Sequence, residues 1–380
     1  MPIKTATALA FILISSALLA QAFEPAWLPD GEDVKAAVAA RRGKTELSKL
    51  ALSMKPGTWA ELDAGGPGIL NMSGEDGKGL DIMTWSDDAH WDSRTGQFFY
   101  MGLRQRRRFI AYSEKKNEWR NIPLSENWET ENSPPTTDRF GHQYSRNALD
   151  PDTSRFYTMA RENIYRYDIR ANTWTNLPTG GSYRGTGLIE FFTARNGLVN
   201  ISDARRPQRL NHQLFFFSKT SQTWENLGRI PIHGHHAMGR HNPYRREVLL
   251  GGSNNTIRNV VLVKEDGSVE RLQDAPLNLG ITRTWITVDP ASGRYLVLIA
   301  DRDAGRRLFE LDSEKNQWRL VDDFSETDWP FRRREAPVVA YIPEYGVSMW
   351  ASRHTYLYKH DPDGDYPVIQ PEAGDDESSR

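Results

Sequence analysis

The chain has 380 residues, carries 48 Lys and Arg against 50 Asp and Glu, and contains no cysteine. That absence excludes disulfide staples, thiolate metal sites, thiol nucleophiles and c-type haem attachment, so stability has to come from a packed core. Of the cations, 36 are Arg and 12 are Lys, a bias toward the planar fork that grips carboxylate, sulfate or phosphate at two points.

Residues 1–22 read as a targeting segment. Lys4 supplies the charge, Ala6 to Leu19 the apolar run, and Ala20-Gln21-Ala22 the small-x-small cleavage site. The expectation is cleavage after Ala22 and export to a periplasm or beyond, with a retained N-terminal anchor as the alternative. The run is too short to span a bilayer, and no later stretch approaches spanning length.

Residues 23–55 are polar with weak helical periodicity over Val34 to Leu52, which Asp30 or Asp33 caps. From about residue 56 the chain becomes repetitive. An aromatic or aliphatic residue and Ser/Asp precede a short polar turn and then Trp-x-x-Leu/Ile. The copies end in Trp119, Trp174, Trp224 and Trp318. Trp119 and Trp174 are 55 residues apart, Trp174 and Trp224 50, and Trp224 and Trp318 94, or two periods. The copy missing from that double gap is Val263 to Leu272, with Val269 at the Trp position. Periods of this size are those of propeller blades.

Within a unit, short apolar runs alternate with turn chemistry and give four strands, a to d. In the second unit these are Gln143-Tyr144-Ser145, Arg155 to Met159, Ile164 to Asp168 and Thr173 to Leu177. The last unit has strands a, b and c but no closing Trp strand, whereas a spare copy, Gly57-Thr58-Trp59-Ala60-Glu61-Leu62, stands at the other end. An N-terminal strand completing the last blade removes the open edges. The predicted fold is therefore all-β: a six-bladed propeller of four-stranded antiparallel blades over residues 56–366. Six blades are favoured over seven, because the long first unit has room for extra strands. Residues 367–380 are acidic and Ser-rich and read as a disordered tail.

The Tyr/Phe…Trp spacing, together with Gly251-Gly252 after Val248-Leu249-Leu250, resembles the kelch-type β-propellers, the family of the galactose oxidase central domain, over roughly residues 56–365. Only that unit keeps the double glycine, which places the resemblance with a divergent branch. The resemblance implies that function resides on the face made by the b–c loops and the loops leading into strand a. Copper radical oxidases on this fold need a Cys–Tyr cross-link, which a chain without cysteine cannot make.

Sorted by that topology, Arg106, Arg107, Arg108, Arg205, Arg206, Arg302 and Arg353 fall in b–c loops, and Arg139, Arg283 and Arg333 in lead-in loops. One sign of charge gathered on one face concentrates anions. The expected ligand is an acidic poly- or oligosaccharide, bound without catalysis. A second reading is a polysaccharide lyase acting on a uronic-acid polymer. His142, Tyr144, Tyr183, Arg184 and His235 would neutralise the carboxylate, take the adjacent proton and protonate the leaving oxygen. A third reading is a protein-interaction scaffold. His233 and His235, two apart on a strand, share a side and are the candidate pair for a divalent metal in the His233–His236 cluster. The alternative there is that these imidazoles satisfy backbone groups at the channel mouth. Trp128 and Trp329, in long lead-in loops, are candidates for stacking on sugar. Export and near-zero net charge argue against nucleic acid as partner, and a monomer is expected.

Overall fold

The computed structural model describes residues 23, 25–70, 86–102, 108–122, 143–160, 163–177, 187–201, 212–232, 236–252, 257–301, 303–331 and 336–369. Six antiparallel sheets are arranged in a ring. Blade 1 holds β2 (His90–Asp92), β3 (Gln97–Gly102), β4 (Arg108–Ser113) and β5 (Glu118–Ile122). Blade 2 holds β6 (Asn147–Asp150), β7 (Arg155–Ala160), β8 (Asn163–Asp168) and β9 (Thr173–Leu177). Blade 3 holds β10 (Ile189–Phe192), β11 (Gly197–Ile201), β12 (His212–Ser218) and β13 (Thr223–Ile230). Blade 4 holds β14 (Met238–Asn242), β15 (Glu247–Gly251), β16 (Val260–Lys264) and β17 (Val269–Arg271). Blade 5 holds β18 (Thr284–Val288), β19 (Tyr295–Asp301), β20 (Gly305–Asp312) and β21 (Gln317–Asp323). Blade 6 holds β22 (Val338–Ile342), β23 (Val347–Ala351) and β24 (Thr355–Lys359), and its outer strand is β1 (Thr58–Glu61) from the other end of the chain. The innermost strands touch in the cycle β2, β6, β10, β14, β18, β22 and back to β2, so the ring is closed.

The repeat has a simple physical basis. In each c–d hairpin the aromatic or aliphatic residue and the Trp are directly opposed: Tyr112 with Trp119, Tyr167 with Trp174, Phe217 with Trp224, Leu311 with Trp318. The closing strand makes the same pair, Trp59 with Tyr358, and blade 4 makes it with Val263 and Val269. Cross-strand pairs of this kind are the unit of sheet stability. Two residues before each Trp the backbone turns left-handed, at Asn117, Asn172, Gln222 and Asn316, where Asn is tolerated better than most side chains. Tyr112 and Tyr167 each donate a hydrogen bond to that asparagine, at 2.8 and 2.6 Å. Blade 4 meets the same need with Gly267. Every a–b turn also holds one left-handed residue: Gly96, Ser154, Asn196, Arg246, Gly293 and Gly346.

Apolar clusters fill the spaces between consecutive blades. Between blades 3 and 4, for example, Val199, Ile201 and Leu214 meet Val248, Leu250 and Val261. Between blades 5 and 6, Trp285, Leu296 and Leu308 meet Val339 and Trp350. Gly252 of the double glycine has φ +68°, and a Cβ there would lie 2.2 Å from the end of the Met238 side chain, so any other residue is strained and has to displace that methionine.

Two departures from the sequence reading concern boundaries. The inner strand of blade 2 begins at Asn147, not at Gln143, because Ser145 has a positive φ and breaks the extended run. The polar N-terminal segment forms two helices rather than one, α1 (Glu32–Arg41) and α2 (Glu46–Ser53). Thr45 starts α2 with a capping box: its hydroxyl accepts the Ser48 amide at 3.1 Å, and the Ser48 hydroxyl accepts the Thr45 amide at 3.2 Å.

This segment lies across the a–b face. Phe23 packs at Gly346 of blade 6, Trp27 meets Tyr244 of blade 4 edge-on at 6.0 Å, and the Asp30 amide donates to Asp152 of blade 2 at 3.2 Å. Arg94 of blade 1 pairs with Asp33 at 2.7 Å. Arg41, itself half-buried, then sits between two buried carboxylates, Glu114 at 2.7 Å and Glu344 at 3.1 Å. At the other end of the chain, His360 meets Glu310 at 2.7 Å, and Arg294 and Arg319 donate to the Pro362 carbonyl at 2.7 and 3.2 Å. β25 (Val368–Ile369) then adds a fifth strand to blade 5 beside β21. Among the described residues, no helix is long and apolar enough to cross a membrane.

Candidate functional site

Topology divides the molecule into two faces. The a–b and c–d turns and the N-terminal segment occupy one; the b–c and lead-in loops form the opposite rim. The axis between them is filled by polar side chains from the inner strands. Arg240, on β14, is 3% exposed. Its guanidinium donates across the axis to the carbonyls of Ile286 (3.0 Å), Ala89 (3.1 Å) and Val339 (3.3 Å). One side chain thus ties blade 4 to blades 5, 1 and 6. The strands recruit it because carbonyls at the centre of a closed ring need donors that water cannot supply.

Around Arg240 stand Glu190, Asp87, Asp88, His90 and His241. Burial pushes the Glu190 carboxyl up to about 8, against the pull of Arg240. Burial and the Arg240 charge push the His241 imidazole down to about 3, so it is neutral; its Nε2 lies 3.1 Å from the Thr193 hydroxyl. Burial also lowers His90, whose Nε2 is 3.5 Å from Asp88. Asp87 is held well above the usual carboxylate range by burial and by its neighbour Asp88. A cavity of about 30 Å³ opens from this cluster toward the a–b face, lined by Glu190, Arg240, His90, His241 and Tyr341, with Trp27 of the N-terminal segment across it. It has room for no more than a few waters.

None of these axial residues belongs to the sequence-derived candidate set. The signal was present, since His90, Glu190 and Arg240 are ionisable residues within inner strands that are buried throughout, and Asp88 lies just before one of them. Buried charges are rare unless partnered.

Of the sequence-derived residues, His142, Tyr183, Arg184, His233, His235, Arg106, Arg107, Arg139, Arg205, Arg206, Arg302 and Arg333 lie outside the described residues, as does Trp128. Arg108 opens β4, opposite Gly102, but its side chain is outside them too. Tyr144 is 1% exposed at the rim end of the axis. Its ring is 5.5 Å from His236, edge-on. Burial and the nearby Asp87 push its phenol up, so it stays protonated. Arg283 is half-buried in the turn leading into β18, and Arg353 is exposed in the b–c hairpin of blade 6. Trp329 is half-buried among Trp59, Phe324 and Phe331, at 6.0, 4.7 and 5.1 Å, with Arg306 over its ring at 5.1 Å. Its surroundings are those of a packing residue, not of a free sugar platform. Among the described residues, no three His, Asp or Glu are arranged to hold a metal ion.

Arginine side chains have partners on both faces. On the a–b and c–d side, Arg41, Arg94, Arg155, Arg195, Arg245, Arg246, Arg294 and Arg319 each have a carboxylate partner. On the rim, Arg307 pairs with Asp323 and Arg271 with Asp274. There Arg258 donates instead to the Ala275 carbonyl, at 2.6 Å, and Arg306 covers Trp329.

No family model matches this chain, and no curated protein does. Solved structures resemble it at low identity. A structural-genomics protein of unknown function from Bacteroides thetaiotaomicron is 13% identical over 82% of this chain and 76% of that one, with a TM-score of 0.50. An oligogalacturonate lyase in complex with manganese is 11% identical over 82% and 99%, with a TM-score of 0.45. TolB from Acinetobacter baumannii is 10% identical over 60% and 52%, with a TM-score of 0.42. Identities this low speak to the fold alone. The chain is a six-bladed β-propeller with a sealed, polar axis.

Proposed function

We propose that the protein is exported and binds an anionic poly- or oligosaccharide on its rim, as a divergent kelch-type propeller without catalysis of its own. The observation that supports this is that the N-terminal segment lies across the a–b face, with Trp27 against Tyr244 and the Asp30 amide on Asp152. That leaves the rim, where Arg283 and Arg353 stand, as the face for a large ligand, and cationic groups there attract anions.

The test is retention of sulfated and uronic-acid polymers by the immobilised protein at low salt, with release at high salt. Changing Arg283 and Arg353 together to Ala should weaken retention about tenfold, equivalent to ~1.4 kcal/mol. Equal retention by the double variant counts against the rim. The same samples, read for new ultraviolet absorbance, test the lyase reading. The neutral phenol of Tyr144 beside His236 favours it only as a proton donor, and Tyr144→Phe should then abolish product. Retention of neither polymer, with co-purification of a protein, would favour the scaffold reading.

A further inference from the structure

We infer that Asp87 and Asp88, at the rim end of the axis, hold a hard cation that ties blades 1 and 2 to the centre of the ring. The two carboxylates border one cavity of about 10 Å³, together with Ser145, Gly239, Arg240 and Thr284, room for a single water-sized species. Each aspartate spends one oxygen on the neighbouring blade. Asp87 Oδ1 accepts the Ser145 amide at 2.8 Å, and Asp88 Oδ1 accepts the Asn147 side-chain amide at 3.2 Å.

The second oxygens, Asp87 Oδ2 and Asp88 Oδ2, have no hydrogen-bond partner among the described residues, although the two aspartates are only 4% and 2% exposed. Buried carboxylate oxygens are rarely left so. His90 lies near Asp88 Oδ2, but at 3.5 Å it is beyond a good hydrogen bond. Charge points the same way. Two carboxylates face one guanidinium, and the Arg240 donors are directed at the carbonyls of Ile286, Ala89 and Val339 rather than at either aspartate. The set lacks the three side-chain ligands a transition-metal site needs. A hard cation is less demanding, because it completes its shell with carbonyl, hydroxyl and water oxygens. Two carboxylate oxygens with polar neighbours in a one-atom cavity suit that class, and calcium is the natural probe. The inference is independent of what the rim binds.

The experiment is equilibrium dialysis of chelator-stripped protein against calcium, with thermal unfolding followed in parallel at fixed ionic strength. About one calcium per chain should be retained. The unfolding midpoint should rise by roughly 5 °C at a hundredfold excess over the dissociation constant. Asp87→Asn and Asp88→Asn, which keep the shape and the first acceptor oxygen, should each remove both effects. The wild-type measurement stands even if a variant fails to fold. No calcium retained, and a midpoint indifferent to calcium and chelator, overturns the inference. The pair would then be sharing a proton instead, and Asp87→Asn would raise the midpoint.

Discussion

Blades 5, 6 and 1 are bound together quite differently from blades 2, 3 and 4. In the first group the ring is closed by β1, which pairs with β24 from Thr58 to Glu61. It is reinforced from outside by β25 on blade 5 and by the Gly65 bridge to Glu118 on blade 1. Two buried ion networks, around Arg41 and around Glu310, add to it. In the second group each blade is a plain four-stranded meander, and among the described residues β9, β13 and β17 carry no added strand. The repeat tryptophans register the difference. Trp119 and Trp318 are buried, while Trp174 and Trp224 are only half-buried; Trp59, also half-buried, is instead packed among Phe324, Trp329, Trp350 and Tyr358. A closed ring needs its strongest fastening where the chain ends meet, because only there, between β1 and β24 of blade 6, is the circle completed by strand pairing and not by the chain itself.

The comparison can be broken at several points. Arg41→Ala should cost most, about 3–5 kcal/mol, because it strands Glu114 and Glu344 as unpaired charges in the interior. Denaturant unfolding measures this, and a loss under 1 kcal/mol would mean that the network does not fasten the ring. Trp59→Ala, at the closing pair, should cost about 3 kcal/mol, against roughly 1–2 for Trp174→Ala in blade 2. Equal losses would erase the distinction between the sectors.

Glu190 sharpens the comparison from the axis. Its unfolded-state value is near 4.5 and its folded value about 8, so folding takes up a proton between those limits and stability falls as pH rises through them. Glu190→Gln should therefore stabilise the protein by about 1–3 kcal/mol at pH 8 and by almost nothing at pH 4.5. Thermal unfolding across that range reads the slope, and an identical profile in the variant would sink the assignment. Smallest of all, His360→Gln should cost about 1 kcal/mol and chiefly loosen the C-terminal clasp. Limited proteolysis should then cut within residues 361–369 before the blades are attacked.

The fold was legible because its defining pair is local. Tyr112 and Trp119, or Tyr167 and Trp174, sit seven residues apart in one hairpin, so their register survives as a spacing in the sequence. Closure by Trp59 was legible by counting strands. The axis was not. Arg240, Glu190 and Asp88 come from different blades, and none of them alone announces a partner in another blade. Nothing in one chain segment announces that the carbonyls of Ile286, Ala89 and Val339 converge on one guanidinium. Ser145 misled the reading of blade 2 for the opposite reason, since a serine gives no warning of a left-handed backbone.

Arg240 carries one further consequence. A guanidinium hydrogen-bonded to three blades, with Trp27 and its neighbours across the cavity behind it, means that nothing threads this molecule. A polymer bound as proposed would have to lie across the disc and depart by the side on which it arrived. Processive passage through a central hole, which a ring invites one to imagine, is mechanically closed to it.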